Sequence, residues 1–431
     1  MSQALADEAA QLRPLSLGDA HQIALENHPQ IAAADYRARA AHEVYAQARA
    51  ALLPQVNLYG SAVDAASANT RIMAGGLNNP SVFDRTAGGL TLNQLITDFG
   101  RTANLEQSSK LRAHAANFDA AATREQVLLQ VDQDYFRALQ AQAVLNIARQ
   151  TLDTRQLLLD RISVLAANKL KSELDVSFAR VALQQGRLLL QSAQSAADAA
   201  LAFLSTTLGY REFRHFRLVE DSLPPSNETS DVSELIALAL QDRPDLASLR
   251  DESDAAMHLA RSERDARYPT ISVVGAAGGS PSHDSRLQDD YAAASIQLSM
   301  PVFAGGLYRA RESEAQLRAK AAAQSLRAVE DTVARDVRIA WMNLNDARLR
   351  ELTTDQLRDY AGDAYSLADA RYRAGSSSIV ELSQAQLELT SAQIESANAR
   401  YDVRIQQSDL NYQLGSLASS AAATAQRATA H

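Results

Sequence analysis

No proline interrupts residues 81–223, and none interrupts residues 302–431. Proline lacks the amide hydrogen that a helix needs, and its ring clashes with the preceding turn, so these stretches are free to run as helix. Each contains the same long apolar/polar pattern. It opens at Asp98-Phe99-Gly100-Arg101 in one and at Ala304-Gly305-Gly306-Leu307 in the other, and it stops at Leu208-Gly209 and Leu414-Gly415. Val127, Val131, Tyr135 and Ala138 recur at steps of four, four and three, which is one face of a helix. About 65 residues at 1.5 Å rise make a rod of roughly 100 Å. The pattern falters at Asn168–Ser172 and at Ala374–Ser378, so each rod is expected to turn back on itself. A rod of that length cannot bury its apolar stripe alone and needs neighbours.

The two stretches belong to a duplication. Ser16 and Asp19 form an S-x-x-D capping box, a short helix runs to Asn27-His28, and Pro29 restarts the chain as a second helix to Leu53. Asp231 and Glu234 form a similar cap, and Asp242-Arg243-Pro244 repeats the break. Pro29 and Pro244 lie 215 residues apart, as do Pro54 and Pro269. Farther on the spacing is 206, from Leu111 to Leu317, from Tyr135 to Trp341, from Asp175 to Glu381 and from Gly209 to Gly415. The lost residues fall in a shorter loop at Ser280–Asp290. Two copies of a unit this long are not a solenoid.

Composition narrows what such helices can do. Aromatics make up 5% of a chain that is 46% hydrophobic, and much of the apolar content is alanine. That favours long helices packed at close range over a thick aromatic core. There is no cysteine, which excludes thiol catalysis, thiolate metal sites, disulfides and a lipid-attachment cysteine. A net charge of −9 and a pI near 5.5 disfavour nucleic acid. No apolar run reaches the ~18 residues of a membrane-spanning helix. Met1 to Ala10 lacks a basic segment followed by an apolar core, so no signal peptide is visible.

Between the helices the period changes to two. Val56, Leu58 and Gly60 alternate with Asn57, Tyr59 and Ser61; after a polar loop from Asp64 to Arg85, Leu90 and Leu92 alternate with Thr91 and Asn93. In the second copy Ile271, Val273 and Gly275 alternate with Ser272 and Val274, and Ala294, Ile296, Leu298 and Met300 with Ser295, Gln297 and Ser299. Each half therefore reads helix, strand, strand, long helix, long helix. The alternation suits a half-buried soluble sheet or membrane strands that are apolar outward and polar inward. The lack of an aromatic core to cover a sheet, and loops long on one side only, favour the membrane. Four strands cannot close a barrel, and an open edge is not tolerated in lipid, so several copies must combine. Three copies of four strands give twelve, an even number.

The two-fold repeat, the helix-to-strand transitions at Pro54 and Pro269, and the strand exits Ile96-Thr97-Asp98-Phe99-Gly100-Arg101 and Pro301-Val302-Phe303-Ala304-Gly305-Gly306 form one pattern. With Tyr372-Arg373-Ala374-Gly375-Ser376-Ser377-Ser378-Ile379-Val380-Glu381, it resembles the TolC-type outer-membrane channel proteins of Gram-negative efflux and secretion systems, over roughly residues 16–415. The resemblance implies a mainly α fold with a small β part. As a homotrimer it would form a 12-stranded transmembrane β-barrel in outer-membrane lipid, continued by an α-helical barrel across the periplasm. The helical end would be an iris, opened by a periplasmic adaptor (a membrane fusion protein) and an inner-membrane pump of RND, ABC or MFS type. The implied division is an N-terminal arm at 1–15 and periplasmic helices at 16–53, 101–209, 232–268 and 307–415. Barrel hairpins take 54–100 and 269–306, an equatorial connector 210–231, and a flexible tail 416–431. Family members carry a signal peptide, so a mature or trimmed form is expected. No cofactor is implied.

The resemblance places the candidate gate at the turns around 165–176 and 371–382. It implies that Glu381 narrows the pore, that Asp175 is its equivalent in the first copy, and that Tyr372 helps hold the closed state. Gln384 stands where family members have a second aspartate, Ser377 where an arginine follows the turn glycine, and Lys169 where the first turn has its glycine. The family's salt-bridge lock is therefore not carried over. Lys169, Ser172, Gly375 and Ser378 are the turn residues expected to meet the adaptor. Read from the residues alone, Ser172 with Asp175 and Ser378 with Glu381 are equally helix caps, and one carboxylate can do both. Three copies of each acid near an axis would attract cations and repel one another.

Other constellations carry no chemistry. His21 and His28 are seven residues apart, beyond the i, i+4 spacing of a helix-borne metal pair, and read as a surface and a turn residue. Ser282-His283-Asp284 are adjacent and cannot converge as a triad; with Ser280-Pro281 they read as loop. No nucleotide-binding glycine motif occurs, and Trp341 on the helix stripe reads as packing. No enzyme is expected. The leading reading is a passive outer-membrane exit duct of a tripartite efflux pump or type I secretion system. The alternative, a soluble periplasmic coiled-coil adaptor or scaffold, leaves the strand hairpins at equal positions in both halves unexplained.

Overall fold

The computed structural model describes residues 14–63, 85–220, 231–282 and 288–417. The first copy runs from β1 (Pro14–Leu15) through α1 (Leu17–Asn27) and α2 (Pro29–Ala50) to the hairpin strands β2 (Gln55–Val63) and β3 (Arg85–Thr97). The long helices α3 (Arg101–Ala167) and α4 (Glu173–Thr207) follow, then β4 (Arg217–Leu218). The second copy is α5 (Val232–Asp242), α6 (Pro244–Asp265), β5 (Thr270–Ser282), β6 (Asp290–Ser299), α7 (Leu307–Arg373) and α8 (Ile379–Gln413). The long helices match in length, 67 and 35 residues in each copy.

Several local expectations change. Helix α2 stops at Ala50 and continues to Leu53 only as a tightened turn, with amides bonded three residues back. Pro54 causes this by disfavouring the helical region for the residue before it. Asp231 accepts from the Ser233 amide and makes no reciprocal box with Glu234, unlike Ser16 with Asp19. Strand β5 reaches Ser282, so Ser280 and Pro281 lie in a strand rather than a loop, and the Ser280 hydroxyl donates to Thr86 O at 2.9 Å. The arm and the connector meet through Leu15 and Leu218, where β1 pairs with β4 in parallel. The start of the arm, most of the loop from Asp64, Pro224-Pro225, His283-Asp284 and the tail beyond Leu417 lie outside the described residues.

Met1–Ala34, Ala121–Pro244 and Glu330–His431 form one compact unit. Its main core seats Leu15, Leu17, Ala20, Ala24 and Ile31 on Val127, Val131, Tyr135 and Phe136 of α3, on Leu201 and Leu204 of α4 and on Leu208 at its C-cap. Tyr135 is the pin: its hydroxyl faces Leu15 O at 2.8 Å and Val219 O at 2.6 Å, clasping β1 to β4. Its counterpart Trp341 packs against Ala340, Leu344 and Leu410. His21 is not a surface residue. It is buried against the equally buried Asp132, because a carboxylate removed from water needs a partner. His28 does sit at a turn, capping α1, and burial lowers its pKa.

Both second long helices end in the same stop. Gly209 and Gly415 take φ of 86° and 70°. Their amides bond Thr206 O and Tyr412 O, while the next amides reach Ser205 O and Asn411 O. A Cβ on Gly209 would stand 2.7 Å from Asn27 O, and one on Gly415 would stand 3.0 Å from the Arg243 Cα. These glycines let each helix end abut the break between the two short helices of its own copy.

Asp35–Ala120 and Asp245–Val329 form the second unit. Here α3 and α6 pack through small residues, with Ser108 Oγ on Ala255 O at 2.8 Å and Ser262 Oγ on Arg101 O at 2.9 Å. The four long strands form one antiparallel sheet in the order β2-β3-β5-β6, with β2 and β6 at its edges. Because the Gly209 conformation disfavours any side chain and its Cβ position is occupied, Gly209→Ala is expected to cost at least about 2 kcal/mol. The check is the midpoint of chemical denaturation, which should fall; an unchanged midpoint would show that the end of α4 relaxes freely.

Candidate functional site

The long hairpins reverse through residues 168–172 and 374–378. Each first helix ends with crossed bonds, Lys169 and Leu170 amides to Ala166 O and Leu165 O, and Gly375 and Ser376 amides to Tyr372 O and Arg371 O. The second residue past each helix end turns left-handed, with φ of 61° at Lys169 and 72° at Gly375. Glycine does so freely. Lysine pays roughly 1–2 kcal/mol for the close approach of its Cβ to the following carbonyl.

The second helices start differently in the two copies. Ser172 Oγ accepts from the Asp175 amide at 3.1 Å, and the Asp175 carboxylate accepts from the Ser172 amide at 3.1 Å, a complete capping box. Ser378 Oγ likewise accepts from the Glu381 amide at 3.2 Å. The Glu381 carboxylate, however, turns away and takes Arg371 Nη1 at 2.7 Å. Asp175 is thus a cap, and Glu381 is half of an ion pair that closes the turn. No arginine follows the turn glycine, where Ser377 stands, but Arg371 supplies a cation from the other side. The sequence signal was present: Arg371 lies in the last turn of α7, and the crossed-bond stop folds the chain back beside it.

Under the turns, Tyr372 is 4% exposed among Leu158, Ile162, Val176, Ala179, Ala368, Ile379 and Leu382, drawn from all four long helices. Lys171 Nζ stands 4.0 Å from the centre of its ring, a cation–π contact that the sequence reading missed. The Tyr372 hydroxyl is buried without a hydrogen-bond partner. Burial, then the negative charge of Asp175, raise its pKa, so it stays a neutral phenol. Asp369 is held by Arg373 and by Arg161, the latter at 4.0 Å. Gln384 stays apart on the exposed side of α8, donating to Glu388 Oε1 at 2.6 Å. The turns are therefore fastened by a small apolar cluster with half-exposed charge pairs on its rim, each worth at most about 1 kcal/mol. Such a fastening can be undone. No group of three or more His, Cys, Asp or Glu among the described residues is arranged to hold a metal ion.

The sheet is the second feature. Its register puts Val56, Leu92 and Gly275 in one row and Leu58, Leu90 and Ala277 in the next, while Val273 pairs with Ile296 and Ile271 with Leu298. Leu58 is 80% exposed and Ile296 78%. The opposite face carries Asn57, Thr91, Asn93, Ser295 and Gln297. At the strand exits Val302 and Phe303 are 92% and 91% exposed, and Phe99 meets Tyr268 at a tilt with ring centres 6.0 Å apart. Ser172→Ala, which breaks a full box, is expected to speed amide exchange over residues 173–176 about fivefold. Glu381→Gln, which removes a half-exposed pair, should change the first turn of α8 less than about twofold. Hydrogen exchange read by mass spectrometry checks both.

No helix among the described residues is long and apolar enough to cross a membrane. The model of the outer membrane efflux protein family matches residues 20–210 and 235–416. The outer membrane protein TolC of Vibrio cholerae is 25% identical over 386 residues, covering 86% of this chain and 84% of that one. The alkaline protease secretion protein AprF of Pseudomonas aeruginosa is 28% identical over 316 residues, 68% of this chain and 62% of AprF. A crystal structure of a membrane protein from Pseudomonas aeruginosa shares the fold with a TM-score of 0.80 at 23% identity, covering 92% of this chain and 90% of that one. With the family pattern matched across both copies of the repeat, the chain belongs to the outer membrane efflux protein family.

Proposed function

We propose that three copies of this chain join their sheets into a twelve-stranded barrel that forms the outer-membrane exit duct of an efflux or secretion system. The observation that carries this reading is a four-stranded antiparallel sheet with two edge strands and a face of exposed aliphatic side chains. In lipid the aliphatic face is favoured, but an open edge is not. Strands β2 and β6 run in opposite directions, so β6 of one copy can continue the antiparallel order with β2 of the next. Phe99, Tyr268 and Phe303 at the strand exits suit the membrane–water interface, where aromatic rings gather. The long helices expose Leu157, Val164, Leu174, Val181 and Leu188, which support packing against a neighbouring copy.

In this reading the turns at 168–172 and 374–378 close the periplasmic end of the duct. The Arg371–Glu381 pair and the Lys171–Tyr372 contact hold them shut, while Lys169, Ser172, Gly375 and Ser378 meet a periplasmic adaptor working with an inner-membrane pump. The turn fastening is weak enough for partner contact to release it. A soluble coiled-coil adaptor or scaffold gives no role to the aliphatic sheet face.

Purified protein in planar bilayers is expected to conduct in small steps. Arg371→Ala combined with Lys171→Ala should shift the closed–open balance by up to about thirtyfold toward open, from two contacts of about 1 kcal/mol each. Absence of conductance in both proteins, together with solubility in the absence of detergent, would refute the duct.

A further inference from the structure

Tyr59 pairs with Gly89, Gly89 with Gly278, and Gly278 with Tyr291. These four residues make one row across all four strands, on the polar face shared with Asn57, Thr91 and Ser295. Two tyrosines from the two edge strands thus flank two glycines from the central ones. The glycines are required by the backbone: a Cβ on Gly89 would lie 2.4 Å from Ala277 O, and one on Gly278 2.3 Å from Gly88 O. The recess they leave is filled by Tyr291, whose hydroxyl stands 2.5 Å from the Cβ position of Gly278 and 2.9 Å from that of Gly89. The ring of Tyr291 therefore lies along the sheet and does not project from it.

The hydroxyl ends are buried while the side chains are only half-buried. Tyr59 Oη, Tyr291 Oη and, two residues along the same face, Ser61 Oγ have no hydrogen-bond partner. A tyrosine kept on a wet wall for its hydroxyl would turn that group to water. Here the hydroxyl is withdrawn, and the part left open is the ring. A tyrosine ring face attracts cations through its quadrupole and stacks on planar groups.

We propose that Tyr59 and Tyr291 form an aromatic contact site on the lumen wall, taking planar or cationic organic solutes as they pass. The proposal rests on the channel reading above. In a closed ring of copies β6 of one adjoins β2 of the next, so the two tyrosines come from strands that meet across each copy boundary. The site would then be completed by a second copy.

The test uses tetraphenylphosphonium as a blocking probe of single channels in planar bilayers, with Arg371→Ala/Lys171→Ala as the open background. Brief blocks are expected. Their dwell time should fall about tenfold in Tyr59→Ala/Tyr291→Ala and stay within about twofold in Tyr59→Phe/Tyr291→Phe, since the ring carries the contact. Unchanged dwell in the alanine pair, equal loss in both pairs, or no block of a conducting channel would overturn the site while leaving the duct intact. No conductance in any protein would sink the duct, and the site with it. The chain has no cysteine, so Tyr291→Cys gives a reading independent of the alanine variants. A water-soluble cationic methanethiosulfonate should change its unitary conductance, and an unaltered conductance after complete labelling would place residue 291 off the lumen.

Discussion

An unpaired strand edge cannot face lipid. Each backbone amide or carbonyl left without a partner there costs several kcal/mol, and β2 and β6 each present a row of them. The aliphatic face of the same sheet, with Leu58 and Ile296 standing free, is costly anywhere but in an apolar medium. One face asks for lipid and the edges forbid it, unless copies of the chain supply each other's missing strand. The helices are in a parallel position, with apolar side chains such as Leu157 and Leu188 exposed on a single chain. In the proposed reading, a chain with both properties is one part of a larger closed assembly.

The duplication shows which parts of that object geometry dictates. Left-handed turn residues recur at 169 and 375 and at 209 and 415, each with the same pair of crossed hydrogen bonds. The copies diverge at the tips of the long hairpins. Asp175 is consumed by its capping box, whereas its counterpart Glu381 leaves the cap to Ser378 and reaches Arg371. Tyr372 takes Lys171 from the other copy's turn. The framework is two-fold, and the fastening at its end is not. In the proposed reading the wall of the duct needs regularity, while its gate needs contacts weak enough to break.

Much of this was legible in the sequence because it is periodic. The helical stripe, the strand alternation, the prolines at 29, 54, 244 and 269 and the glycine stops all report through backbone conformation, which local residues control. What escaped is long-range or depends on orientation. His21 looked like a surface residue because nothing near it in the chain indicates Asp132, more than 100 residues away. The pairing of β1 with β4 involves two residues on each side, too few for a pattern. At the turn, S-x-x-E correctly marked the Ser378 cap but could not say where the Glu381 carboxylate points; a competing arginine across the turn decides that. The row of Tyr59, Gly89, Gly278 and Tyr291 needs the register of four strands before it exists at all.

In the proposed assembly the four-stranded sheet is completed by two further copies of the same chain. The most direct measurement is the mass of the protein particle purified in mild detergent, by light scattering with the detergent contribution subtracted. The chain is 46.6 kDa, so three copies should weigh about 140 kDa, with no smaller species on dilution. A stable particle of one chain, or a ring of any other number, would contradict a twelve-stranded barrel.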